Sequence, residues 1–530
     1  MTLSTKTPFF ITTAISYVNG KPHLGHAYEV ILTDVMARFK RLDGYDVFFL
    51  TGTDEHGEKV AKTAEKNDMS PKAFADMNAA YFQEMAKTLG ISNDDFIRTT
   101  EPRHYAASQA IWNKLKDKGD IYLGKYEGWY SVREEGYFGE DELTTDPATG
   151  KKLTPNGTEV EWVEEPSYFF KLSKYTDKLL KLYQDHPGFI IPNVRANEII
   201  SFVKQEGGLK DLSVSRHTSR LTWGIPVPGE PDHVMYVWLD ALTNYITAIG
   251  YPDEGSESFK KFWPVDYHVI GKDITRFHAI YWPAFLMAAD LPLPKHIFAH
   301  GFINVQGAKM SKSVGNVLSP DTLVQAYGLD PFRYFLMREI PHGQDGNFSH
   351  EQAVQRINAD LANGLGNLAQ RTLSMIYKNC EGKVPQPQDL GSLDNHVLLT
   401  YLYDPELLLS QMRTHADALF FHNVLSFIWQ AIGDCDRYID VQAPWKLKKE
   451  NPERMNTVLY ELAEAIRCIS IAVQPVIPNS ANKILDQLGV PKDQRLFAHM
   501  SKDYALKPGT TIDKPEGVFP RIVENEEAAE

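Results

Sequence analysis

The chain has 530 residues, 43% of them apolar, and is long enough to bury several hydrophobic cores in more than one domain. Its formal net charge of −14 argues against nucleic-acid binding over a broad surface, because phosphate contacts require Lys and Arg, so any RNA-binding surface should be local. No stretch reaches the length of a membrane span, the N-terminus lacks a signal-peptide pattern, and Cys380, Cys435 and Cys468 have no metal-ligand spacing. We therefore expect a cytoplasmic protein with reduced thiols and no association with membranes.

The first 119 residues alternate strand and helix patterns. Strands are predicted at residues 9–15, 47–51 and 96–99, and Ser70-Pro71 is typical of a helix start, with Ser as the cap and Pro at the first helical position. This alternation predicts one half of a doubly wound parallel sheet. At the end of the second strand, Asp54 should lie on the carboxyl edge of the sheet, where such folds bind ligands and where a carboxylate can hold an ammonium group.

Within this half, Pro22-His23-Leu24-Gly25-His26 opens an apolar-periodic helix predicted to run to about residue 42. A helix start offers free backbone N–H groups and the positive end of its dipole to a phosphate. Gly25 has no Cβ, so a base or ribose can lie against the backbone, and the imidazoles of His23 and His26 can donate to phosphate oxygens. Taken alone, two histidines at a helix start are more often ordinary surface residues.

The pattern changes between residues 120 and 222 to aromatic, glycine-punctuated strands with a hairpin rich in Thr, Gly, Pro and Asn at 144–158, which predicts an inserted domain. The parallel-sheet pattern is predicted to resume with strands at 234–239, 267–270 and 296–303. Beyond the last of these, residues 307–316 are small, polar and bracketed by glycines, as in a flexible loop. Lys309 and Lys312 are mobile charges suited to triphosphate oxygens, although two exposed lysines are usually just solvated.

After residue 349 nearly the whole chain has helical periodicity, with long amphipathic segments at 352–376, 416–439 and 453–473. On the first of these, Asn367 and Arg371 are four residues apart on a polar face, which is more often merely solvated. Asn and Arg nevertheless present paired donors suited to base edges, and single-stranded loop bases are the usual targets of specific RNA recognition. Trp445, which follows Ala443-Pro444, is either a presented ring or a packing anchor.

The histidine and lysine segments together resemble the HIGH and KMSKS signatures of class I aminoacyl-tRNA synthetases, with Leu24 in place of the isoleucine. Residues 14–20, 52–57, 236–241 and 271–283 are similar to segments of methionyl-tRNA synthetases. The chemistry agrees, because the thioether of methionine packs well against aromatic rings, which Tyr17, Trp238, Tyr245, Phe277, His278 and Trp282 can supply. The alternative is that these aromatic side chains only pack in the hydrophobic core.

The resemblance implies the following roles for individual residues. The methionine pocket comprises Ala14, Ile15, Tyr17, Asp54, Trp238, Ala241, Tyr245, Ile274, His278 and Trp282. ATP is bound by His23, Gly25, His26, Gly271, Asp273, Lys309, Ser311 and Lys312, of which His23, His26, Lys309 and Lys312 are catalytic. Asn367, Arg371 and Trp445 read the anticodon.

The implied fold is α/β: a split doubly wound, Rossmann-like parallel sheet with an inserted connective domain, followed by an all-α anticodon-binding helix bundle. The expected domains are residues 1–119 and 223–305 for the two halves of the catalytic domain, 120–222 for the connective insertion, 306–350 for the KMSKS loop and stem-contact region, 351–515 for the anticodon-binding domain and 516–530 for a C-terminal tail. Many relatives carry the paired cysteines of a zinc knuckle after Tyr-Glu-Gly-Trp-Tyr. Here that segment is followed by Ser131-Val132-Arg133-Glu134, and residues 120–222 contain no Cys, so we expect no structural zinc.

The implied reaction is activation of L-methionine by ATP, with Mg²⁺ accompanying the nucleotide, followed by transfer of methionine to tRNA(Met). The C-terminal tRNA-binding domain and dimer contact of many relatives are not found in the sequence, so we expect a monomer. Two other interpretations of the sequence remain. The protein could be a nucleotidylyltransferase, which can share the HIGH-like element, or a catalytically inactive relative that binds tRNA as a scaffold.

Overall fold

A computed structural model describes residues 6–133, 136–310, 315–388 and 405–523. The strands are, in chain order, β1 (Pro8–Thr13), β2 (Ser16–Tyr17), β3 (Asp46–Asp54), β4 (Asp95–Arg98), β5 (Ile121–Ser131), β6 (Gly136–Phe138), β7 (Thr144–Thr145), β8 (Lys152–Leu153), β9 (Glu161–Phe170), β10 (Ile190–Ile191), β11 (Leu212–Ser213), β12 (Ser215–His217), β13 (Pro226–Val227), β14 (Glu230–Met235), β15 (Tyr267–Gly271), β16 (His296–His300), β17 (Ile303–Val305), β18 (Ala308–Lys309) and β19 (Gly346–Phe348).

The α-helices are α1 (Leu24–Leu42), α2 (Glu58–Lys66), α3 (Pro71–Thr88), α4 (Pro102–Asp117), α5 (Thr176–Asp185), α6 (Asn193–Val203), α7 (Val237–Thr247), α8 (Glu257–Phe262), α9 (Trp282–Ala288), α10 (Pro320–Tyr327), α11 (Leu329–Glu339), α12 (His350–Arg356), α13 (Asn367–Asn379), α14 (Pro405–Asp417), α15 (Phe421–Gln442), α16 (Pro444–Glu450), α17 (Pro452–Val473) and α18 (Pro478–Gln487). Two π-helical stretches, Phe277–Tyr281 and Ile357–Gly366, interrupt the α-helical pattern. The part of the chain that the structure describes has no helix both long and apolar enough to cross a membrane.

The chain divides into two compact units, one formed by Pro8–Val30 and Phe48–His300 and the other by Met1–Thr7, Ile31–Val47 and Gly301–Glu530. The first unit is built on a seven-stranded sheet with the order β10-β16-β15-β1-β3-β2, and β4 also pairs with β3. Pairing of β1 with β15, β15 with β16, β2 with β3 and β3 with β4 is parallel, which confirms the predicted sheet type. The predicted helix start at Pro71 is also confirmed, and the Ser70 hydroxyl accepts from the N–H of Ala73 over 3.3 Å.

The insertion contributes the long antiparallel pair β5–β9, whose Trp129 and Trp162 rings meet edge to face at 5.4 Å. Its segment β10 pairs in parallel with β16 and so extends the main sheet, which the sequence pattern did not predict.

The predicted strand at 234–239 is wrong. Its first two residues end β14, which belongs to a separate three-stranded antiparallel sheet, and α7 begins at Val237. The run Val234 to Leu239 is rich in residues that favour strands, but the neighbouring structure overrides that preference. The predicted strand at 296–303 is two strands, β16 and β17, and the two belong to different sheets.

Two predicted helices are also corrected. The segment 352–376 is not one α-helix, because the π-helical stretch Ile357–Gly366 lies between α12 and α13. In this stretch the indole N–H of Trp429 donates to the carbonyl of Asp360 over 3.2 Å. The side chain of Asn358 forms two hydrogen bonds with the backbone of Ile522. The segment 416–439 begins instead at Phe421. Leu419 has a left-handed φ of 56° and ends α14 with a Schellman pattern of hydrogen bonds, a position where glycine is usual.

In the second unit, the C-terminal half of α1 packs into the helical part of the chain. Asp34 and Arg333, both fully buried, form an ion pair at 2.7 Å, and Arg333 also donates to the carbonyl of Val476. The rings of Phe39 and Phe497 meet edge to face at 4.9 Å. Two further ion pairs join Lys40 to Asp417 and Asp43 to Arg413.

Candidate active site

The first turn of α1 fixes the tautomers of two histidines. The backbone N–H of Gly25 donates to Nδ1 of His23, and that of His23 donates to Nδ1 of His26, both over 3.1 Å. A neutral imidazole that accepts at Nδ1 carries its proton on Nε2, so each ring has an Nε2–H as its donor. Burial, together with the electrostatic interaction with His23, holds the pKa of His26 well below its usual value, so the His26 ring is neutral at pH 7.

A carboxylate that the sequence did not single out lies one turn further along α1. Glu29 accepts from Nε2 of His300, the last residue of β16, over 2.9 Å. Burial raises the pKa of Glu29 against the opposing hydrogen bond and charge of His300, and the charge of Asp273 adds to the rise. Asp273 is exposed and comes two residues after Gly271, the last residue of β15. The helix start and the carboxyl end of β15 therefore contribute groups that interact electrostatically.

A small cavity opens beside these residues, between the sheet and helices α1 and α3. It receives the side chains of His26 and Glu29, so both groups line open space. The full lining is Thr13, Ser16, His26, Glu29, Val30, Thr51, Gly52, Phe82, Met85, Ala86 and Phe96.

The predicted methionine residues Tyr245, Ile274 and His278 form one hydrogen-bonded group. The hydroxyl of Tyr245 donates to Nε2 of His278 over 2.6 Å, and Nδ1 of His278 donates to the carbonyl of Ile274 over 3.0 Å. Burial lowers the pKa of His278 to about 4, so the ring is neutral. Burial raises the pKa of Tyr245 well above its usual value, and the charges of Glu29 and Asp54 add to that rise.

The indole of Trp282 is fully buried behind this group. Its Nε1 donates to Nε2 of His268 over 3.2 Å, which leaves Nδ1 of His268 to donate to the hydroxyl of Thr12 over 2.8 Å. The ring of His268 lies 4.0 Å from that of Tyr245, and burial holds the pKa of His268 well below its usual value, so this imidazole is also neutral. No sequence signal predicts this role for His268, which lies in a strand whose residues are all buried.

A stacked aromatic pair covers another side of the pocket. Trp238, near the start of α7, stacks on Phe277 with centroids 3.6 Å apart and planes within 9°. The edge of His278 faces the same indole at 6.5 Å. Phe277 and His278 both belong to the π-helical stretch Phe277–Tyr281, a kind of local distortion often found at functional sites. Ala241, one turn after Trp238, is buried.

The remaining predicted methionine residues lie at the carboxyl ends of the central strands. Ala14 and Ile15 follow β1, and the backbone N–H of Ala14 donates to the carbonyl of Val269. Tyr17 on β2 pairs in register with Asp54, the last residue of β3. The charge of Asp54 contributes to the raised pKa of Tyr245, so the two groups interact electrostatically.

Lys309 lies on a different sheet, in the second unit. It ends β18, which forms a tight hairpin with β17 through Gln306 and Gly307, both with positive φ. Its ammonium group lies 5.1 Å from the ring centroid of Phe302. Ser311 and Lys312, also predicted to bind ATP, lie outside the described residues.

The predicted anticodon residues are brought together in the second unit. Asn367 and Arg371 are one turn apart on α13, and the guanidinium of Arg371 lies 5.7 Å from the ring centroid of Trp445 and 2.9 Å from a carboxylate oxygen of Asp440. Trp445 is 46% exposed. The preceding Ala443 has a left-handed φ of 44°, rare for a residue other than glycine, and turns the chain sharply into α16.

A helix start bearing two histidines on a parallel sheet, a separate lysine hairpin and a helical C-terminal part are the features that the resemblance to class I aminoacyl-tRNA synthetases predicts. The family described as tRNA synthetases class I (M) matches residues 9–373. The family described as the anticodon binding domain of methionyl tRNA ligase matches residues 406–530.

Comparison with individual proteins identifies the family within this class. The chain is 58% identical over 519 residues to methionine–tRNA ligase of Brucella suis, covering 98% of this chain and 99% of that protein. A solved structure of Mycobacterium tuberculosis methionyl-tRNA synthetase with methionyl-adenylate has a TM-score of 0.93 at 53% identity, covering 97% of this chain and 100% of that one. The free state of the same enzyme has a TM-score of 0.88 at 49% identity, covering 99% and 100%. The chain belongs to the methionyl-tRNA synthetase family.

Proposed function

We propose that the chain activates L-methionine with ATP to methionyl-adenylate and pyrophosphate, and then transfers methionine to the 3′-terminal adenosine of tRNA(Met). The observation that carries this proposal is the pairing, within one unit, of a neutral aromatic pocket around Tyr245 and His278 with a helix start that presents two Nε2–H donors. The pocket suits a thioether and the helix start suits phosphate oxygens.

Methionine is selected by shape and by ring contacts. The stacked Trp238 and Phe277, together with Tyr245 and the neutral His278, offer ring edges and faces to the sulfur and the methyl group. A charged imidazole would be a poor neighbour for a thioether, so the low pKa of His278 supports its place in the pocket. Trp282, Ala14, Ile15, Tyr17, Ala241 and Ile274 complete the wall, and the carboxylate of Asp54 holds the substrate ammonium.

ATP enters as its Mg²⁺ complex, with the ion bound by phosphate oxygens and water. The described residues contain no cluster of three or more His, Cys, Asp or Glu side chains arranged to hold a metal. His23 and His26 donate to the phosphates, and Gly25 leaves room for the base or ribose. Gly271 and Asp273 approach the ribose, and Glu29, next to both His26 and Asp273, is an additional candidate for the same sugar.

The first step is attack of the methionine carboxylate on the α-phosphorus of ATP, with departure of pyrophosphate. The carboxylate is already ionised at neutral pH, so no general base is required. Catalysis is then mainly positioning and charge stabilisation. Lys309 and Lys312, with Ser311 between them in the chain, neutralise the separating phosphates. In the second step a ribose hydroxyl of the terminal tRNA adenosine attacks the activated carbonyl and AMP leaves.

Recognition of tRNA(Met) is assigned to the surface formed by Asn367, Arg371 and Trp445. An exposed indole is suited to stack on an anticodon base, and the amide and guanidinium groups can donate to base edges. Asp440 holds the guanidinium of Arg371 near that indole. This surface is local, as the net charge of −14 requires. We also propose that the protein acts as a cytoplasmic monomer, which analytical ultracentrifugation at micromolar concentration would test.

The proposal is tested by amino-acid-dependent exchange of labelled pyrophosphate into ATP across all twenty amino acids. We expect exchange with methionine and none above background with leucine, isoleucine or cysteine. Exchange without any amino acid would instead favour a nucleotidylyltransferase. No exchange, combined with binding of tRNA(Met), would favour a scaffold without catalytic activity.

A further inference from the structure

A buried carboxylate lies behind the methionine pocket and belongs to none of the groups assigned above. Trp238, Ala241 and Tyr245 on α7 are three and four residues apart, so they share one face of the helix. Asp240 lies on a different face and is fully buried. Nδ1 of His56 donates to its Oδ2 over 2.6 Å.

A second imidazole completes the group. Nε2 of His104 donates to Oδ1 of Asp240 over 2.7 Å, so each carboxylate oxygen has an imidazole donor. The other ring nitrogen of His104 lies 3.1 Å from the hydroxyl of Thr247, two turns further along α7. His104 belongs to α4 and is itself fully buried, so it fixes α7 against α4 at two points.

The other imidazole lies in the segment that follows β3. His56 comes two residues after Asp54, the carboxylate proposed to hold the substrate ammonium. The hydroxyl of Tyr105, on α4, lies 3.1 Å from Nε2 of His56. The bond between His56 and Asp240 therefore connects the segment that follows β3 to the helix that carries Trp238 and Tyr245.

The residue between Asp54 and His56 is fixed as well. Glu55 is fully buried and accepts two hydrogen bonds from Arg98, at 2.6 and 2.9 Å, and one each from the hydroxyls of Thr53 and Thr100. The two residues that follow Asp54 are thus both fixed by buried carboxylates. Glu55 is fixed by its own carboxylate, and His56 by that of Asp240.

Packing alone does not account for such groups. Burying a carboxylate is costly unless it is fully hydrogen-bonded, and an apolar replacement of similar volume is often equally stable. Burial would raise the pKa of Asp240, but the charge of His56 and the hydrogen bond from His104 hold it below its usual value. The carboxylate is therefore ionised at neutral pH and orients both imidazoles.

We propose that Asp240 is a positioning residue for methionine: it holds the α7 face that bears Trp238 in register with the Asp54 segment. It does not contact the substrate. This inference rests on the proposed function of the pocket, because it assigns Asp240 a role in methionine binding only.

Asp240→Asn tests the proposal, because the amide keeps the size of the side chain and removes its charge and one of its two acceptors. In methionine-dependent pyrophosphate exchange, we expect the KM for methionine to rise by about tenfold or more, since misplacement of a substrate-binding group by about 1 Å has effects of this size. The KM for ATP should stay within about twofold of the original.

The matched control is Asp120→Asn. Asp120 is another buried carboxylate of the same unit, bonded to Lys174 at 2.6 Å and to Tyr175 at 2.9 Å, but unconnected to the pocket. It should lower the melting temperature without changing the KM for methionine. An unchanged methionine KM in Asp240→Asn, or equal rises in the KM for methionine and ATP, would overturn the proposal.

A second pair of variants covers failure of Asp240→Asn to fold. His56→Asn can place its amide N–H where Nδ1 donates, whereas His56→Ala cannot, so the Asn variant should keep a lower methionine KM than the Ala variant. Equal KM values for the two would count against positioning through this hydrogen bond. If the original protein shows no methionine-dependent exchange, the proposed function itself fails, which is a separate result.

Discussion

Deletion of one oxygen atom in the proposed methionine pocket should have a measurable effect. In Tyr245→Phe the ring remains, but Nε2 of His278 loses the hydroxyl that donates to it over 2.6 Å. The imidazole cannot compensate by changing tautomer, because its Nδ1–H is donated to the carbonyl of Ile274, and the other tautomer would set a lone pair against that oxygen. Both side chains are almost completely buried, so water does not replace the lost donor without rearrangement.

The size of the effect follows from the cost of a buried acceptor without a donor, about 1–3 kcal/mol. At 1.4 kcal/mol per tenfold change, this corresponds to a factor of about 5 to about 150 in an equilibrium constant. If the imidazole stays in place, the cost lowers the free energy of unfolding. If it turns away to another partner, methionine must restore its orientation on binding, and the methionine KM rises instead. The two losses together should amount to about 1–3 kcal/mol.

Urea unfolding and methionine-dependent pyrophosphate exchange measure the two parts separately. Tyr175→Phe is the matched control, because Tyr175 is also buried and donates to Asp120 over 2.9 Å, away from the pocket. It should lose stability and keep the original methionine KM. A Tyr245→Phe protein whose summed loss is below about 0.5 kcal/mol, the range typical of surface changes, would refute the assigned hydrogen-bond network.

Other changes probe the remaining parts of the site. Lys309→Ala and Lys312→Ala should each slow pyrophosphate exchange by about a hundredfold or more. Methionine binding, measured by calorimetry, should be unchanged. An equal loss of methionine affinity would contradict a role at the phosphates. Trp445→Ala and Arg371→Ala should each lower kcat/KM for tRNA(Met) by about ten- to a hundredfold, since one stacked base or one bidentate contact is worth about 1–3 kcal/mol. Pyrophosphate exchange should stay near its original rate. Parallel loss of both activities would show that these residues are structural. Prolonged chelation followed by readdition of Mg²⁺ should leave activity intact, and elemental analysis that finds one zinc per chain would disprove a zinc-free insertion. Because burial lowers the pKa of His278 from 6.5 to about 4, the unfolded chain binds a proton there that the folded chain does not, so stability should fall as pH drops from about 6.5 towards about 4. The fall should be shallower in His278→Gln, as urea titrations at several pH values would show.

The features that were predictable from the sequence depend on local signals. The helix from Leu24 to Leu42 has an apolar period and a glycine in its first turn, and the start of α3 has both a capping Ser and a following Pro. The parallel strands β3, β15 and β16 are short apolar runs between helical patterns, and the structure confirms each of them within a few residues.

The features that were missed depend on contacts with distant parts of the chain. The run at 234–239 has strand composition, whereas the helix that begins at Val237 is held by hydrogen bonds to Asp240 from His104 and His56, which lie 136 and 184 residues away in the chain. In the π-helical stretch before Asn367, the carbonyl of Asp360 accepts from the indole N–H of Trp429, which lies 69 residues away in the chain. Glu29 could have been suspected, because it lies one turn after His26 on the same face of α1, but its partner His300 is 271 residues away.

The way the C-terminal half of α1 packs into the helical part of the chain has a consequence for protein engineering. A fragment that begins at residue 351 would expose the ring of Phe497 and leave Arg413 and Asp417 without the charges supplied by residues 40 and 43. Transplanting the C-terminal helical part of a relative onto this chain would face the same difficulty, since the graft would have to fit Phe39 and Arg333, which here contact Phe497 and the carbonyl of Val476. Chimaeras should therefore exchange residues 31–47 together with the C-terminal part. Two of the splice points then fall inside α1 and β3, and not only at the domain border predicted near residue 350.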